Sequence, residues 1–220
     1  MAFNVVLGGQ TFTEAVAGTH KGKVPRDRAV CREYPFVFLI SYFLSDYNLL
    51  MSTVLTCSED GDIIGTIDKA EAHTGDGILH RAFSVFVFSP DGTQVLIQQR
   101  ASGKLFAGLW ANACCSHPRG EGSLEEEAMR RLQEECGFSC ALHTKASFVY
   151  QAADPSGNGG EYEYDTVLTG KVDPSVALRP DPAEIAEIRW VDIDDLRIDL
   201  DENPERYAPW FAPALFEALS

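Results

Sequence analysis

The chain has 220 residues, 45% of them hydrophobic and 23% charged, which excludes a disordered or fibrous protein. Its formal charge of −15 argues against a nucleic-acid binder held by phosphate contacts, because such a surface repels the backbone. A phosphate-bearing substrate then needs a metal or a few clustered Lys and Arg to offset its charge locally.

Residues 1–50 differ from the rest. Five basic and four acidic side chains give them +1, so residues 51–220 carry −16. The apolar run from Phe36 to Leu44 is too short to cross a bilayer, which takes about 20 residues. It has the length of a signal-peptide core but lies deep in the chain, with no small-residue cleavage site after it. We therefore expect residues 1–50 to be an N-terminal extension, not native to the domain or poorly ordered, with no membrane span. A further expectation is that Met51 is the real initiator; a full-length intact mass from the native source would end that idea.

From Met51 the pattern is that of a mixed α/β domain. Ala82 to Phe88 reads as a buried strand, Ser89-Pro90-Asp91-Gly92 as a turn and Gln94 to Gln99 as the returning strand. Leu124 to Cys136 is a helix: Ser123 and Glu126 form a capping box, Gly137 stops it, and Leu124, Ala128 and Leu132 make a buried stripe. Ala146–Gln151, Tyr162–Leu168 and Ile188–Ile193 read as strands, and Pro209 to Leu219 as a terminal helix. The six cysteines show no small-domain disulfide spacing and read as reduced, cytoplasmic thiols.

Five features carry candidate chemistry. Glu127, Arg131 and Glu135 share one helix face, where i,i+4 pairing on a solvated surface is the simplest account. In Asn112-Ala113-Cys114-Cys115-Ser116-His117-Pro118 a thiol stands two residues from an imidazole, which suits a metal site, a nucleophile or an acid/base pair. His73 and His80 are seven apart. Glu161 and Glu163 lie on one face of a strand and repel unless a cation sits between them. Three histidines with two carboxylates suit Zn²⁺ or Mn²⁺, and Glu135 is a candidate for Mg²⁺. Trp210 is either a core plug or a π face for a cation.

Together these motifs resemble the type 1 isopentenyl-diphosphate delta-isomerases, a family of the Nudix superfamily. The resemblance runs from about Glu59 to Leu215. It rests on Ala72-His73-Thr74 with Leu79-His80, Gln99-Arg100-Ala101, Trp110 through Pro118, the helix to Gly137, Tyr150 with Asp154–Gly157, Glu161-x-Glu163 and Ala208-Pro209-Trp210. The Nudix hydrolase pattern is only partly present: Ser116, Gly122 and Arg131 stand where a Gly and two Glu belong.

The resemblance implies an α+β, Nudix-like α/β/α sandwich with a mixed β-sheet over residues 51–220. It implies interconversion of isopentenyl and dimethylallyl diphosphate through a tertiary carbocation, in isoprenoid biosynthesis; a Nudix hydrolase of another diphosphate is the alternative. Cys115 and Glu163 are then the acid/base pair, with Tyr150 beside the carboxylate and Trp210 over the cation. His73, His80, His117, Glu161 and Glu163 bind one Mn²⁺ or Zn²⁺. Mg²⁺ joins the substrate diphosphate to Glu135 and the Cys115 carbonyl, and Lys69, Arg100, Lys104 and Arg131 hold the diphosphate. The implied partner is a small isoprenyl diphosphate, with no nucleic acid and no membrane, and the protein is a monomer or homodimer. Of the two adjacent thiols, Cys115 takes the catalytic role because it stands two before His117, leaving Cys114 to packing.

Overall fold

The computed structural model describes residues 2–7, 10–15 and 53–220, and the chain divides into Met1–Ser45 and Asp46–Ser220. The described part of the first unit is an antiparallel hairpin of β1 (Ala2–Leu7) and β2 (Gln10–Ala15). The Phe36–Leu44 run and Met51 lie outside the described residues.

The second unit holds a nine-stranded mixed sheet. Its strands are β3 (Thr53–Cys57), β4 (Ile63–Asp68), β5 (His80–Phe88), β6 (Gln94–Arg100), β7 (Trp110–Asn112), β8 (Cys114–Ser116), β9 (Leu142–Ala153), β10 (Gly160–Lys171) and β11 (Ile185–Asp192). The order β11-β6-β5-β10-β9 forms its spine, and β5 runs parallel to β10 while the other pairings are antiparallel. The helices are α1 (Lys69–Ala72), α2 (Leu124–Cys136), α3 (Ile193–Glu202) and α4 (Phe211–Leu219). No helix among the described residues is long and apolar enough to cross a membrane.

Strand alternation divides the core in two. Val85, Val87, Leu96 and Leu168 pack with Ala128, Leu132 and Cys136 of α2. Their neighbours Phe86, Phe88, Val95, Ile97 and Val167 point the other way, onto Leu196 of α3 and Phe211, Ala214 and Leu215 of α4. Each fully buried Leu or Phe adds about 1.5–3 kcal/mol. Helices therefore cover both faces, and the expected α/β/α sandwich is the one observed.

Helix α2 has the predicted bounds. Ser123 Oγ accepts from the Glu126 N–H, Glu126 reaches back to the Ser123 N–H, and Gly137 ends the helix at φ +79°. The face shared by Glu127, Arg131 and Glu135 corrects the sequence reading, because it is not solvated. Both glutamates are 3% exposed. Glu127 accepts the backbone N–H groups of Arg119 at 2.5 Å and Glu121 at 2.9 Å, which ties the loop before the helix to its first turn. At the other end of the domain, Ile193 is not the end of a strand as expected. It starts α3, with Asp192 as the N-cap accepting from Asp194 and Asp195 N–H.

Candidate active site

Four elements bring the candidate ligands together. Asp68 caps α1, whose fourth residue leads directly into His73. His80 opens β5, His117 follows β8, and Glu163 sits on β10 in register opposite His80. The loop between His73 and His80 lies against the start of β10: Gly160 N–H donates to the His73 carbonyl at 3.0 Å. Gly159, at φ +135°, makes this approach possible, since a Cβ there would lie 2.1 Å from the same carbonyl oxygen.

The imidazole protons can be assigned from their partners. Nδ1 of His73 lies 2.6 Å from the Lys69 carbonyl, and Nδ1 of His80 lies 2.6 Å from the Ile78 carbonyl. A carbonyl only accepts, so both Nδ1 atoms carry a proton, and in the neutral ring, the form that binds a metal, each Nε2 presents a lone pair. Those Nε2 atoms point at Glu163 Oε1, at 3.9 Å from His73 and 3.3 Å from His80. His117 Nε2 is 3.0 Å from the same oxygen. Burial pushes the His117 pKa down to about 3, so this ring is neutral at physiological pH. Burial opposes the charge on Glu163, yet its contact with the imidazoles, above all the hydrogen bond from His117 Nε2, outweighs it and holds this carboxyl well below the usual range.

The donor atoms of His73, His80, His117 and Glu163 all lie within 4.8 Å of one another. Lone pairs converging on a carboxylate repel unless a cation lies among them. His80 Nε2 is also fully buried with no hydrogen-bond partner, an orphan a cation would satisfy. The set therefore fits a divalent metal ion. Glu161 stands beside this group: the Tyr150 hydroxyl lies 2.7 Å from a Glu161 oxygen and 2.6 Å from a Glu163 oxygen. Burial, then the charge of Glu163, raises the Glu161 pKa to about 8.

The cluster opens into a cavity of about 550 Å³. Cys115, Glu163, Tyr150 and Trp210 all line it, so the thiol and the carboxylate face one space. Burial pushes the Cys115 thiol above its usual range. The Tyr150 and Trp210 rings lie 5.8 Å apart and form an aromatic wall. Cys114, one residue away, is fully buried in the α2 side of the core, as a packing thiol should be.

The same cavity is lined by Lys69, Arg100, Lys104 and Arg131. They share the lining with Asp68, Glu161, Glu163 and Glu184, so the site is mixed in charge and supplies cations that the net −15 of the chain conceals. Arg100 donates from Nε to the Leu105 carbonyl at 2.7 Å and lies 5.0 Å from the Trp210 ring centroid. Lys104 pairs with Glu184. Arg131 donates to Ser116 Oγ at 3.2 Å and pairs with Glu135 at 2.5 Å, which places Glu135 behind the arginine.

The comparisons decide the family. The NUDIX domain family matches residues 78–211. The chain is 44% identical over 162 residues to the isopentenyl-diphosphate Delta-isomerase of Halorhodospira halophila, covering 73% of this chain and 91% of that protein. It is 45% identical over 158 residues to the isopentenyl-diphosphate Delta-isomerase of Nocardia farcinica, covering 71% and 89%. The chain belongs to the isopentenyl-diphosphate delta-isomerase family of Nudix proteins. Among solved structures, the DR0079 protein of Deinococcus radiodurans superposes with a TM-score of 0.60 at 17% identity, over 76% of this chain and 99% of that one. At that identity the likeness shows the fold alone, and it agrees with the α+β sheet described above.

Within this isomerase-family fold, eleven of the site residues expected from the sequence line one cavity, His80 is buried beside Glu163, and Glu135 lies behind Arg131. Four others went unassigned. Ser84 pairs in register with Cys115 and donates to Asp165 at 2.7 Å. Asp165 extends the same-face alternation of Glu161 and Glu163, which was a readable signal. Glu184 reaches Lys104 and Arg131 from the turn before β11, and no local pattern marks it. Asn112 stands in the thiol motif, but its partners Val85 and Trp210 come from distant parts of the chain.

Proposed function

We propose that residues 51–220 form an isopentenyl-diphosphate delta-isomerase domain, with residues 1–50 as an extension. The observation that carries this reading is that Cys115 and Glu163 line a single cavity together with four cationic side chains and the Tyr150 and Trp210 rings. Isomerisation needs one proton placed on the terminal alkene carbon and another taken from the allylic carbon. A thiol and a carboxylate facing one small ligand suit that exchange. The intermediate is a tertiary carbocation, which has no lone pair to accept a hydrogen bond. The π faces of Trp210 and Tyr150 stabilise it, by about 0.5–2 kcal/mol between exposed and desolvated cation–π contacts.

In this reading His73, His80 and His117, with Glu163 and Glu161, hold a divalent ion, Mn²⁺ or Zn²⁺ by donor chemistry. When bound, that ion would fix the carboxylate and lower the cost of its charge; Glu135 and the Cys115 carbonyl would hold the Mg²⁺ brought with the substrate, which would offset the diphosphate charge. The Tyr150 hydroxyl bridges the two carboxyl groups and fixes their orientation, donating its one proton to Glu163 and sharing the other contact with Glu161, whose raised pKa lets it hold a proton of its own. Lys69, Arg100, Lys104 and Arg131 bind the diphosphate. Its charge also relieves the repulsion between the Arg100 guanidinium and a cation forming near Trp210. We further propose a cytoplasmic enzyme, monomeric or homodimeric, acting on a small isoprenyl diphosphate without membrane or nucleic acid.

The test is incubation of the protein with isopentenyl diphosphate and Mg²⁺ in deuterated water. Deuterium in dimethylallyl diphosphate, without phosphate release, is the expected result. Release of phosphate or of a monophosphate would support the hydrolase reading instead.

A further inference from the structure

Asn112 ends β7 and is fully buried. Its Nδ2 lies 2.8 Å from the Cys114 carbonyl and 3.3 Å from the Val85 carbonyl. Its Oδ1 lies 3.1 Å from Trp210 Nε1 and 3.0 Å from Cys115 Sγ. The two ends of the amide cannot be exchanged. An indole N–H only donates, so the atom facing it is the oxygen. Backbone carbonyls only accept, so the atom facing them is the nitrogen. Cys115 therefore faces a fixed acceptor and donates its thiol proton to it.

A buried asparagine has to satisfy its own polar atoms, and two carbonyls and the indole would already do that. The bond to Cys115 goes beyond this need, because the thiol borders an open cavity. One oxygen thus sets the position of the sulfur on one side and of the aromatic face on another. We propose that Asn112 is a positioning residue for the isomerisation, anchoring the Cys115 thiol and the Trp210 ring to one carbonyl oxygen that is itself pinned to the backbone of β5 and β8. Productive geometry at a reacting centre tolerates about 0.5 Å, and a misplacement of about 1 Å can cost on the order of 10²-fold in rate. Of the diphosphate cations only Arg100 lies against the anchored ring, 5.0 Å from its centroid, so loss of the anchor acts more on turnover than on substrate binding.

The proposal rests on the isomerase reading for turnover but not for geometry, and the test keeps the two apart. Asn112→Ala and Asn112→Asp are compared with the unaltered, metal-loaded protein. The measurements are kcat and KM for isopentenyl diphosphate and the rate of Cys115 alkylation by iodoacetamide, located by peptide mass. Asn112→Ala is expected to lower kcat by about 10²-fold with a much smaller change in KM and to speed alkylation of the untethered sulfur. Asn112→Asp keeps an oxygen at the Oδ1 position while losing the same two amide donors. It is expected to recover much of the kcat at a similar loss of stability.

Wild-type kcat in a folded Asn112→Ala protein would overturn the proposal. So would activity that falls in step with stability in both variants while alkylation stays unchanged. Should Asn112→Ala fail to fold, the three indole ¹⁵N–H signals are recorded for the unaltered protein and for Cys115→Ala. The Trp210 signal is expected to move when the second donor to its acceptor is removed; a stationary signal rejects the shared anchor. If the unaltered protein does not isomerise the substrate, the functional reading fails, and the alkylation and indole measurements still decide the role of Asn112.

Discussion

The two faces of the sheet are built from the same strands yet differ in kind. Toward α2 the core is closed, with Val85, Val87, Leu132 and Cys114 all fully buried. Toward α4 the core grades from Phe86 and Phe211 into Tyr150 and Cys115, which border the cavity. Cys114 and Cys115 show the contrast over a single peptide unit. A strand sends adjacent side chains to opposite faces, so one thiol packs and its neighbour meets the ligand space. The closed face supplies stability, and the open face carries polar groups that burial alone would not keep.

The largest effect should come from Glu163→Gln, which removes the charge at the centre of the three imidazoles. A loss of about 10²–10⁴-fold in turnover is expected, with loss of bound metal by elemental analysis. A folded variant that keeps both would remove the open face from the chemistry.

The thiol pair sharpens the comparison next. Cys115→Ala should lower turnover by about 10²–10⁴-fold with metal content intact. Cys114→Ala should cost about 1 kcal/mol of stability in a denaturant titration and leave turnover in place. The reverse pattern would exchange the roles of the two faces.

Metal removal ranks third. A tightly bound ion at about 100 times its Kd contributes about 2.7 kcal/mol, so chelation should lower Tm and the same ion should restore it. An unchanged Tm would show that the histidine cluster does not depend on an ion. The smallest effect belongs to the α2 side: Ser123→Ala should cost about 1 kcal/mol by calorimetry and leave kcat and KM alone.

Helix α2 was legible in full because its signals are local: a capping box, a four-residue apolar stripe and a stopping glycine all lie within fifteen residues. The long strands β5, β6, β9 and β10 were found with their ends cut short. The hairpin of β3 and β4 was missed, since β4 exposes Ile63 and Ile64 and so lacks a one-sided pattern. Strands β7 and β8 have three residues each, too few for any period to show. The acidic start of α3 read as the end of a strand, although Asp194 and Asp195 in a first turn are what the helix dipole favours.

In the site, the residue types announced metal and acid/base chemistry, but their convergence depends on register between distant strands. That Glu163 faces His80 across a parallel pair is not written in either segment alone. Glu184 and Asn112 escaped for the same reason, since their partners are brought by other parts of the chain.

The seam at Gly159 has a consequence for assembly. The loop that carries His73 and His80 is laid flush against a strand some eighty residues further on, and the fit leaves no room for a side chain between them. An incomplete fold therefore presents separated imidazoles rather than a chelating nest. An ion held by this cluster would then be captured only after the two segments have docked.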